Sequence, residues 1–437
     1  MELTAPPDKS LTHRALILAG LAQGTSRLSG LLAAEDPRST AGCLRSLGVG
    51  VSRLPDDGSP ITLEGRGLRG LSAPQAVLNA GNSGTTARLL LGVLAGHPFE
   101  ATVTGDDSLR SRPMGRVIKP LRDMGARIQG RDGSERLPLT IRGGDLEPVV
   151  VESPVASAQV KSAILLAGLV AGVPVTVRQP GRSRDHTERM LSGAGVRVLE
   201  GVWRGATDLD EGWEVRLPEP PSALEPLDFR VPGDFSSAAF LVALALLGAV
   251  GSELRIRNVG LNPTRTGLLP VLKRMGASVA ARLEGEAGGE PVGNLVVEPG
   301  PLVGVEVGGE EIPDLVDEVP VLAVLAARAR GVTRITGAGE LRVKESDRIR
   351  ALKRGLEAVG VEVEELEDGL EIQGTDRSLQ GRVDSSGDHR IAMAFGVLGR
   401  AVGGDIEVGD PQLSDVSFPG FWRVLDRLAP RRRGVGP

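Results

Sequence analysis

The chain has 437 residues, of which 41% are hydrophobic and 24% are charged, and its formal net charge is -5. A chain of this length exceeds one ordinary hydrophobic core and therefore predicts two or three domains. The negative charge, the aromatic content of 2% and the lack of tyrosine argue against a nucleic-acid-binding protein, which needs a basic surface and stacking rings.

Several other classes of protein are also disfavoured. The sequence has no run of about 18 apolar residues, and residues 1–10 do not have the pattern of a signal peptide, so we expect a cytoplasmic protein that does not enter membranes. The single cysteine, Cys43, excludes an internal disulfide and a cysteine-based metal cage. Because the four histidines also lack ligand spacing, we expect no metal site.

The first predicted element, an apolar and alanine-rich helix that ends in glycine, recurs six times at intervals of roughly 75 residues. The copies end at Gly24, Gly96, Gly172, Gly248, Gly331 and the pair Gly403-Gly404. A second helix and several strands complete each unit, which is too small to bury a large core alone. We expect an α/β fold whose first helices pack together beneath sheets, rather than a solenoid, whose repeats usually span about 20 to 50 residues.

Polar clusters precede these buried helices. They are Asp8–Arg14 (DKSLTHR), Gly81–Arg88 (GNSGTTAR), Ala156–Ser162 (ASAQVKS), Gly233–Ser237 (GDFSS), Asp317–Pro320 (DEVP) and Gly387–Arg390 (GDHR). Small residues at a helix start leave backbone N–H groups available to an anion, and they also serve as caps. Capping explains any one cluster, but it does not explain why Lys9, Arg14, Arg88 and Arg390 accompany them.

The segment Leu341–Arg350, with the sequence LRVKESDRIR, is a further candidate site. Apolar residues at helical spacing predict a helix that begins near Ser346 or Asp347. The spacing of four then favours Lys344 and Arg348 on one side of the first turn, where two cations beside a helix N-terminus indicate an anion site. The alternative is a solvated turn in which Glu345 pairs with Arg348.

More cations lie in loops between the repeats, within Ser108–Arg116, Gly181–Arg189 and Asn262–Gly267. An acidic protein that gathers cations in this way is typical of one that binds a small, highly anionic substrate in a cleft. Phosphate and carboxylate groups fit best. The sequence contains neither GxxxxGK[ST] nor a strand followed by GxGxxG, which disfavours a standard nucleotide-binding loop.

Taken together, eight of these motifs resemble the EPSP synthase family, the 3-phosphoshikimate 1-carboxyvinyltransferases. They are DKSxTHR, GNSGTTxR, SLxxRPM, ASAQVKSAxLLAG, SRDHTE, NPTRTG, RVKESDR and DHRIAM, and they cover nearly the whole chain. The SAQVKSA and SRDHTE forms resemble a bacterial subgroup that includes glyphosate-tolerant members. The resemblance implies six βαββαβ repeats in two globular domains of three units each, the inside-out α/β barrel of the enolpyruvyltransferase fold.

The resemblance also implies the function. The family transfers the enolpyruvyl group of phosphoenolpyruvate to the 5-hydroxyl of shikimate 3-phosphate and uses no cofactor. We therefore expect a C-terminal-half domain of residues 1–8 and 232–437, an N-terminal-half domain of residues 9–231, and substrates in the cleft between them. We also expect a monomer that glyphosate inhibits.

Site residues follow motif by motif. The matches to shikimate 3-phosphate contacts are Lys9, Ser10, Arg14, Ser157, Ala158, Gln159, Arg184, Asp317 and Lys344. The matches to phosphoenolpyruvate contacts are Lys9, Asn82, Gly84, Thr85, Arg112, Gln159, Glu345, Arg348 and Arg390. Lys9, Asp317 and Glu345 match catalytic positions. The reaction removes a proton from the 5-hydroxyl and adds one to the methylene carbon of phosphoenolpyruvate, and two carboxylates in different surroundings can do both. We assign the hydroxyl proton to Asp317 and the methylene proton to Glu345.

Three positions decide how far the resemblance extends. Pro7 stands where the first motif usually has glycine, and Val416 stands where some members have a lysine that binds phosphoenolpyruvate. In tolerant members an alanine occupies the position of Gly84, and its methyl group intrudes on glyphosate. Because this chain has glycine there, we expect the space to stay open.

Two alternatives remain. UDP-N-acetylglucosamine enolpyruvyltransferases typically carry a reactive cysteine in a loop and an AKN-type first motif, whereas Cys43 lies in a helix pattern and the first motif is DKS. A non-catalytic binding protein for phosphorylated metabolites would keep the cations without needing Asp317 and Glu345.

Overall fold

A computed structural model describes residues 1–205, 211–401 and 404–430 of the chain, and every structural statement below refers to these residues. The helices are α1 Lys9–Leu21, α2 Glu35–Ser46, α3 Gly84–Ala95, α4 Asp107–Ser111, α5 Gly115–Asp123, α6 Ala158–Ala171, α7 His186–Gly193, α8 Phe235–Leu246, α9 Leu268–Arg274, α10 Ile312–Leu315, α11 Val319–Ala326, α12 Arg348–Ala358, α13 His389–Leu398 and α14 Phe421–Leu428. Short 3-10 helices span Arg131–Gly133, Gly339–Val343 and Pro411–Val416.

The strands precede and connect these helices. They are β1 Glu2–Thr4, β2 Gln23–Ser29, β3 Gly50–Val51, β4 Ile61–Arg66, β5 Leu78–Asn79, β6 Glu100–Thr104, β7 Arg127–Gly130, β8 Leu139–Arg142, β9 Val149–Glu152, β10 Val175–Gln179, β11 Leu199–Arg204, β12 Glu211–Leu217, β13 Asp228–Arg230, β14 Leu254–Gly260, β15 Ser278–Ala287, β16 Glu290–Glu298, β17 Glu306–Val307, β18 Val332–Ile335, β19 Glu362–Leu366, β20 Gly369–Gln373, β21 Leu379–Val383 and β22 Gly404–Val408.

The strands of the described residues form six sheets, one for each predicted repeat. Five have four strands, in the orders β1-β14-β16-β15, β13-β2-β4-β3, β5-β6-β8-β7, β11-β12-β10-β9 and β17-β18-β20-β19, and the sixth is the pair β21-β22. Each sheet contains one parallel pair, for example β13 beside β2 and β1 beside β14. The sixfold α/β repeat that the sequence predicts is therefore confirmed.

The first helix of each repeat is buried, as its apolar composition predicts. In α8 and α11 every residue is buried, because neither helix has a polar face to present to water. Helices α1, α3 and α6 pack on one another, and so do α8, α11 and α13. Three copies end before the predicted glycine. Helix α1 stops at Leu21, so that Gly24 lies in β2, and α11 stops at Ala326. Helix α13 stops at Leu398 with Gly399 as its C-cap. Gly403 lies outside the described residues.

Capping side chains set the start of the buried helices at the predicted polar clusters. The carboxylate of Asp8 accepts a hydrogen bond of 2.8 Å from the backbone N–H of Leu11 in α1. Asp234 and Asp388 begin α8 and α13 in the same way, and Ser83 begins α3. Each cap satisfies a backbone donor that the helix itself leaves unpaired, so the cluster fixes where its helix begins.

The chain divides into two units. Unit 1 contains residues 1–6, 232–285 and 291–437, and unit 2 contains residues 7–231 and 286–290. Compared with the predicted domains, the first boundary lies two residues earlier. The short stretch 286–290 also belongs to unit 2, whereas the predicted N-terminal-half domain did not include it.

Unit 1 includes the first strand of the chain. In β1, Glu2 pairs with Arg255 of β14, and the backbone N–H of Asp234 donates to the carbonyl oxygen of Pro6 at 2.7 Å.

In the described residues no helix is long and apolar enough to cross a membrane.

Candidate active site

The guanidinium of Arg348 is the centre of a charged cluster in unit 1. Its side chain is 1% exposed and contacts three carboxylates. Nη2 donates to Oε2 of Glu345 at 2.6 Å, Nη1 donates to Oδ1 of Asp317 at 3.3 Å, and Nε donates to Oδ2 of Asp388 at 2.8 Å. Asp317 and Glu345, the two carboxylates predicted to be catalytic, are therefore held by the same cation.

Charge compensation keeps this buried cluster ionised. Burial alone lowers the pKa of Arg348, but the negative charges of Asp388, Glu345 and Asp317 outweigh it and raise that pKa above its ordinary value. Burial conversely raises the pKa of Asp388, but the positive charges of Arg348 and His389 and the hydrogen bond from Arg348 together outweigh it, so the net shift is downward. A buried charge is tolerated when a partner of opposite sign lies within hydrogen-bonding distance.

Two further arginines contact Asp317. Arg390 donates from Nη1 to the backbone carbonyl of Asp317 at 3.1 Å, and its Nη2 lies 3.5 Å from Oδ2. Arg265 lies 3.4 Å from Oδ2 through Nη1. The carboxylate of Asp317, whose side chain is 15% exposed, thus lies among three guanidinium groups, which stabilise its charged form.

Arg265 was not among the residues assigned a role from the sequence, although its NPTRTG motif was singled out as basic. It is buried, and its Nη2 donates to Oγ of Ser236 at 2.7 Å and lies 3.5 Å from Oδ1 of Asp234. The Ser236 hydroxyl in turn donates to Glu318. The signal in the sequence is that Arg265 lies within a predicted turn, between Asn262 and Gly267.

Lys344 lies differently from the expectation. Helix α12 begins at Arg348 with Asp347 as its N-cap, as predicted, so Lys344 precedes the helix and the helical spacing of four does not apply to it. Its Nζ lies 2.7 Å from Oε1 of Glu340, and both side chains are partly exposed. The pairing of Glu345 with Arg348, given above as the alternative for this segment, is present together with the contacts to Asp317 and Asp388.

In unit 2, the start of α1 carries the first predicted motif. Lys9 Nζ lies 3.2 Å from Oδ2 of Asp36. Arg14 is buried one turn later and donates from Nη1 to the backbone carbonyl of Ser10 at 3.1 Å. Its Nε donates to Oγ1 of Thr187 at 2.7 Å. Arg14 is therefore fixed in direction by the first turn of its own helix and by α7.

A second group of unit 2 residues surrounds the start of α3. Arg112 donates from Nη2 to Oδ1 of Asn82 at 2.7 Å. Gln159 Nε2 donates to Oγ1 of Thr85 at 3.0 Å, and Gln159 Oε1 accepts from Nη1 of Arg88 at 2.9 Å. The glycine-loop residues are thus hydrogen-bonded to polar side chains from α6 and from the end of α4.

Arg88 is the residue of this group that received no role from the sequence. It lies one turn after Gly84 in α3, and a Cβ atom built on Gly84 would approach its Nη1 to 2.5 Å. The arginine in the motif GNSGTTAR was noted, but the motif alone does not say whether the side chain turns towards the loop or away from it. Its contact with Gln159 supplies that information.

The remaining predicted residues of unit 2 lie at the starts of α6 and α7. Ser157 is the N-cap residue of α6, and its backbone carbonyl accepts a hydrogen bond of 3.0 Å from Nε2 of Gln179. Ala158 is the first residue of α6. Arg184 is half-buried in the segment just before α7. In unit 1, Val416 ends the last 3-10 helix and is also half-buried.

Known structures identify the class of the fold. The chain is similar to the crystal structure of the enolpyruvyl transferase NikO from Streptomyces tendae, with a TM-score of 0.72 and 17% sequence identity, covering 98% of this chain and 94% of that one. The similarity to an EPSP synthase from Acinetobacter baumannii is higher, with a TM-score of 0.83 and 37% identity over 98% and 95% of the two chains. The architecture is therefore the enolpyruvyl transferase fold.

Sequence comparisons then give the family. The EPSP synthase (3-phosphoshikimate 1-carboxyvinyltransferase) family matches residues 1–425. A 3-phosphoshikimate 1-carboxyvinyltransferase of Gloeobacter violaceus is 50% identical over 98% of this chain and 96% of its own length, and one of Alkaliphilus metalliredigens is 49% identical over 97% and 96%. The chain belongs to the EPSP synthase family and is a transferase.

Proposed function

We propose that the chain joins phosphoenolpyruvate to shikimate 3-phosphate and releases phosphate. In the first step the 5-hydroxyl oxygen bonds to C2 of phosphoenolpyruvate, the hydroxyl loses its proton, and the methylene carbon C3 gains one. In the second step the bond from C2 to the phosphate oxygen breaks, C3 loses a proton, and the enol double bond forms again.

The contact of one buried arginine with both Asp317 and Glu345 is the observation that carries this proposal. A reaction that removes a proton at one atom and adds one at another needs two carboxylates in different surroundings. Asp317 has three guanidinium neighbours, whereas Glu345 hydrogen-bonds Arg348 and its side chain is 28% exposed. We assign to Asp317 the proton of the hydroxyl and to Glu345 the proton of the methylene carbon.

The cations among the assigned residues supply the charge that the substrates need. Each substrate carries a phosphate and a carboxylate, and two such anions in contact repel one another by several kcal/mol in a partly buried site. Arg112 donates to an amide oxygen and to the hydroxyl of Ser108, which are neutral partners, so its positive charge is available to an anionic ligand. This supports Arg112 as a phosphoenolpyruvate contact.

The other contacts divide between the two substrates. For phosphoenolpyruvate we propose Lys9, Asn82, Gly84, Thr85, Arg112, Gln159, Glu345, Arg348 and Arg390. For shikimate 3-phosphate we propose Lys9, Ser10, Arg14, Ser157, Ala158, Gln159, Arg184, Asp317 and Lys344. Lys9 also takes part in catalysis as a positive charge near the reacting atoms. The enzyme acts as a cytoplasmic monomer without a cofactor, and glyphosate inhibits it.

The state of Cys43 argues against UDP-N-acetylglucosamine as the acceptor. The thiol lies in α2 and is buried, and its Sγ donates to the backbone carbonyl of Asn79 at 3.4 Å. Burial raises the pKa of Cys43 to about 12. A reactive cysteine needs the opposite, an accessible thiol with a lowered pKa.

Phosphate release on mixing the enzyme with phosphoenolpyruvate and each acceptor tests the function. We expect release with shikimate 3-phosphate, and none when either substrate is left out. Release with UDP-N-acetylglucosamine instead would identify the alternative transferase. Binding of shikimate 3-phosphate in calorimetry without any phosphate release would identify a non-catalytic binding protein.

A further inference from the structure

Residues 286–290 are the only stretch of the hairpin formed by β15 and β16 that belongs to unit 2. They end one strand and begin the next, and the turn between them is the pair Gly288-Gly289. Both glycines have positive φ, 54° and 81°, which is the requirement of the tight two-residue hairpin turn. The Gly-Gly pair therefore sets where the hairpin reverses.

Close packing also requires glycine at both positions. A Cβ atom on Gly288 would lie 2.7 Å from Cε2 of Phe229, and one on Gly289 would lie 2.5 Å from the carbonyl oxygen of Arg189. A Cβ on Gly193, the last residue of α7, would lie 2.7 Å from the carbonyl carbon of Gly288. The turn is thus in backbone contact with α7, and this fixes the direction of the residue that follows it.

That residue is Glu290, and it contacts the start of α7. Its Oε1 lies 2.7 Å from Nδ1 of His186, and the two side chains are 1% and 3% exposed. Because a carboxylate oxygen only accepts hydrogen bonds, Nδ1 carries the proton. A buried hydrogen bond to a charged acceptor is stronger than a neutral one, so it holds the imidazole and the first turn of α7 in one orientation.

The first turn of α7 in turn holds residues assigned to shikimate 3-phosphate. Thr187, next to His186, accepts the Nε–H of Arg14 and lies 2.7 Å from the hydroxyl of Ser162. On the other side of His186, the carboxylate of Asp185 accepts hydrogen bonds from Arg182 at 3.1 Å and from Arg189 at 3.0 Å. Arg184 is covalently next to Asp185.

The charge of Glu290 reaches Arg14 as well. Burial is the largest influence on the pKa of Arg14 and lowers it, while the negative charges of Glu188, Asp8 and Glu290 partly offset that effect. Glu290 therefore helps a buried guanidinium to remain charged, in addition to fixing the helix that directs it.

We propose that Glu290 is a positioning residue for shikimate 3-phosphate, which acts through His186 on the first turn of α7 and so on Arg14 and Arg184. The inference rests on the proposed function, because it takes Arg14 and Arg184 as contacts of that substrate. Glu290 itself touches neither substrate nor reacting atoms. Its loss should weaken one substrate selectively, since the phosphoenolpyruvate residues Asn82, Thr85 and Arg112 are held by other hydrogen bonds.

Steady-state kinetics of Glu290→Ala, Glu290→Gln and wild type test the proposal. We expect Glu290→Ala to raise the KM for shikimate 3-phosphate about 10-fold or more, with less than about a 3-fold change in the KM for phosphoenolpyruvate. The amide oxygen of Glu290→Gln still accepts the proton of His186, so that variant should recover most of the loss. The exposed Glu286, in β15 beside the same turn, provides the control Glu286→Gln, which should match wild type.

Equal KM values for Glu290→Ala and wild type, or a KM increase of the same size for both substrates, would overturn the proposal. If Glu290→Ala does not fold, Glu290→Asp decides instead, because it keeps the charge but shortens the reach to His186. Glu290→Asp should still raise only the KM for shikimate 3-phosphate. A KM equal to that of the wild type would overturn the proposal. A wild type that releases no phosphate would refute the proposed function and this inference together, whereas an active wild type with unaffected variants refutes only the inference.

Discussion

The Nη2 atom of Arg348 lies 2.6 Å from Oε2 of Glu345, three residues earlier in the chain, while its Nη1 lies 3.3 Å from Oδ1 of Asp317. The arginine begins α12, whereas Glu345 precedes that helix and Asp317 precedes α11. A single planar guanidinium therefore fixes the separation of two carboxylates that come from different segments. This geometry suggests how each member of the group can be tested separately.

We expect Glu345→Gln and Asp317→Asn each to lower turnover by at least about 100-fold, the usual scale for a general acid or base. Both changes keep the shape of the side chain and remove its charge, so substrate binding should survive. Turnover by phosphate release and binding by calorimetry separate the two effects. Glu357→Gln, on the exposed side of α12, is the matched control. Near-normal turnover in either variant would remove that residue from the mechanism.

Replacing Arg348 by methionine should lower the free energy of unfolding by about 3–5 kcal/mol, because it leaves the buried Asp388 without its counter-charge. Urea denaturation measures the change. Arg350→Met provides the control, since Arg350 lies in the same helix but is exposed, and its loss should cost less than about 0.5 kcal/mol. Equal stability of the two variants would mean that the Arg348 cluster does not stabilise the fold.

Gly84→Ala should weaken glyphosate more than phosphoenolpyruvate, by about 1–3 kcal/mol, the usual cost of overpacking a tight site. The added Cβ would lie 2.5 Å from Nη1 of Arg88 and 3.6 Å from Nη1 of Arg112, so Arg88 has to move. The measurement is the inhibition constant of glyphosate against phosphoenolpyruvate. Gly201→Ala, whose Cβ meets no atom within 4 Å, serves as control. If the wild type already tolerates glyphosate, or if the mutant has unchanged selectivity, a residue other than Gly84 controls the room for the inhibitor.

Acid should destabilise the protein through His13. Burial lowers the pKa of this imidazole well below 6.5, and the charges of Lys9 and Arg14 lower it further. Below about pH 6.5, His13 binds a proton in the unfolded chain but stays neutral in the folded chain. This contribution to the free energy of unfolding is therefore fully present above that pH. It is lost as the pH falls towards the folded pKa, by up to about 1.4 kcal/mol per pH unit. Urea denaturation at several pH values measures this slope. His13→Gln should reduce it, and an unchanged slope would contradict the assignment.

The sequence was sufficient for the parts of the fold that depend on local pattern. Apolar helices with capping residues at Asp8, Ser83 and Asp347 predicted both the six repeats and the start of α12, because caps and apolar periodicity act within a few residues. The position of Lys344 was not predictable in the same way. Its placement depends on where the preceding 3-10 helix ends, and the helical spacing assumed for it does not extend that far.

Contacts between distant segments lay beyond what the sequence could give. Arg265 and Asp317 are far apart in the chain, as are His186 and Glu290, and no local pattern links either pair. The pair Gly288-Gly289 is typical of a hairpin turn, but it does not indicate the helix against which the turn packs. The site assignments therefore came from resemblance, and hydrogen bonds such as that of Arg88 to Gln159 came from the structure.

The turn at Gly288-Gly289 has a consequence for synthesis on the ribosome. Residues 7–231 emerge well before Glu290, so His186 lacks its carboxylate and Phe229 lacks the glycine that packs on it until the hairpin has been made. Unit 1 has the opposite order, since β1 is made first and must wait for β14 before it can pair. Neither unit can therefore reach its final structure as an uninterrupted length of nascent chain. If the polypeptide were cut after Val231, the first fragment would lack residues 286–290 of unit 2, and the second fragment would lack residues 1–6 of unit 1.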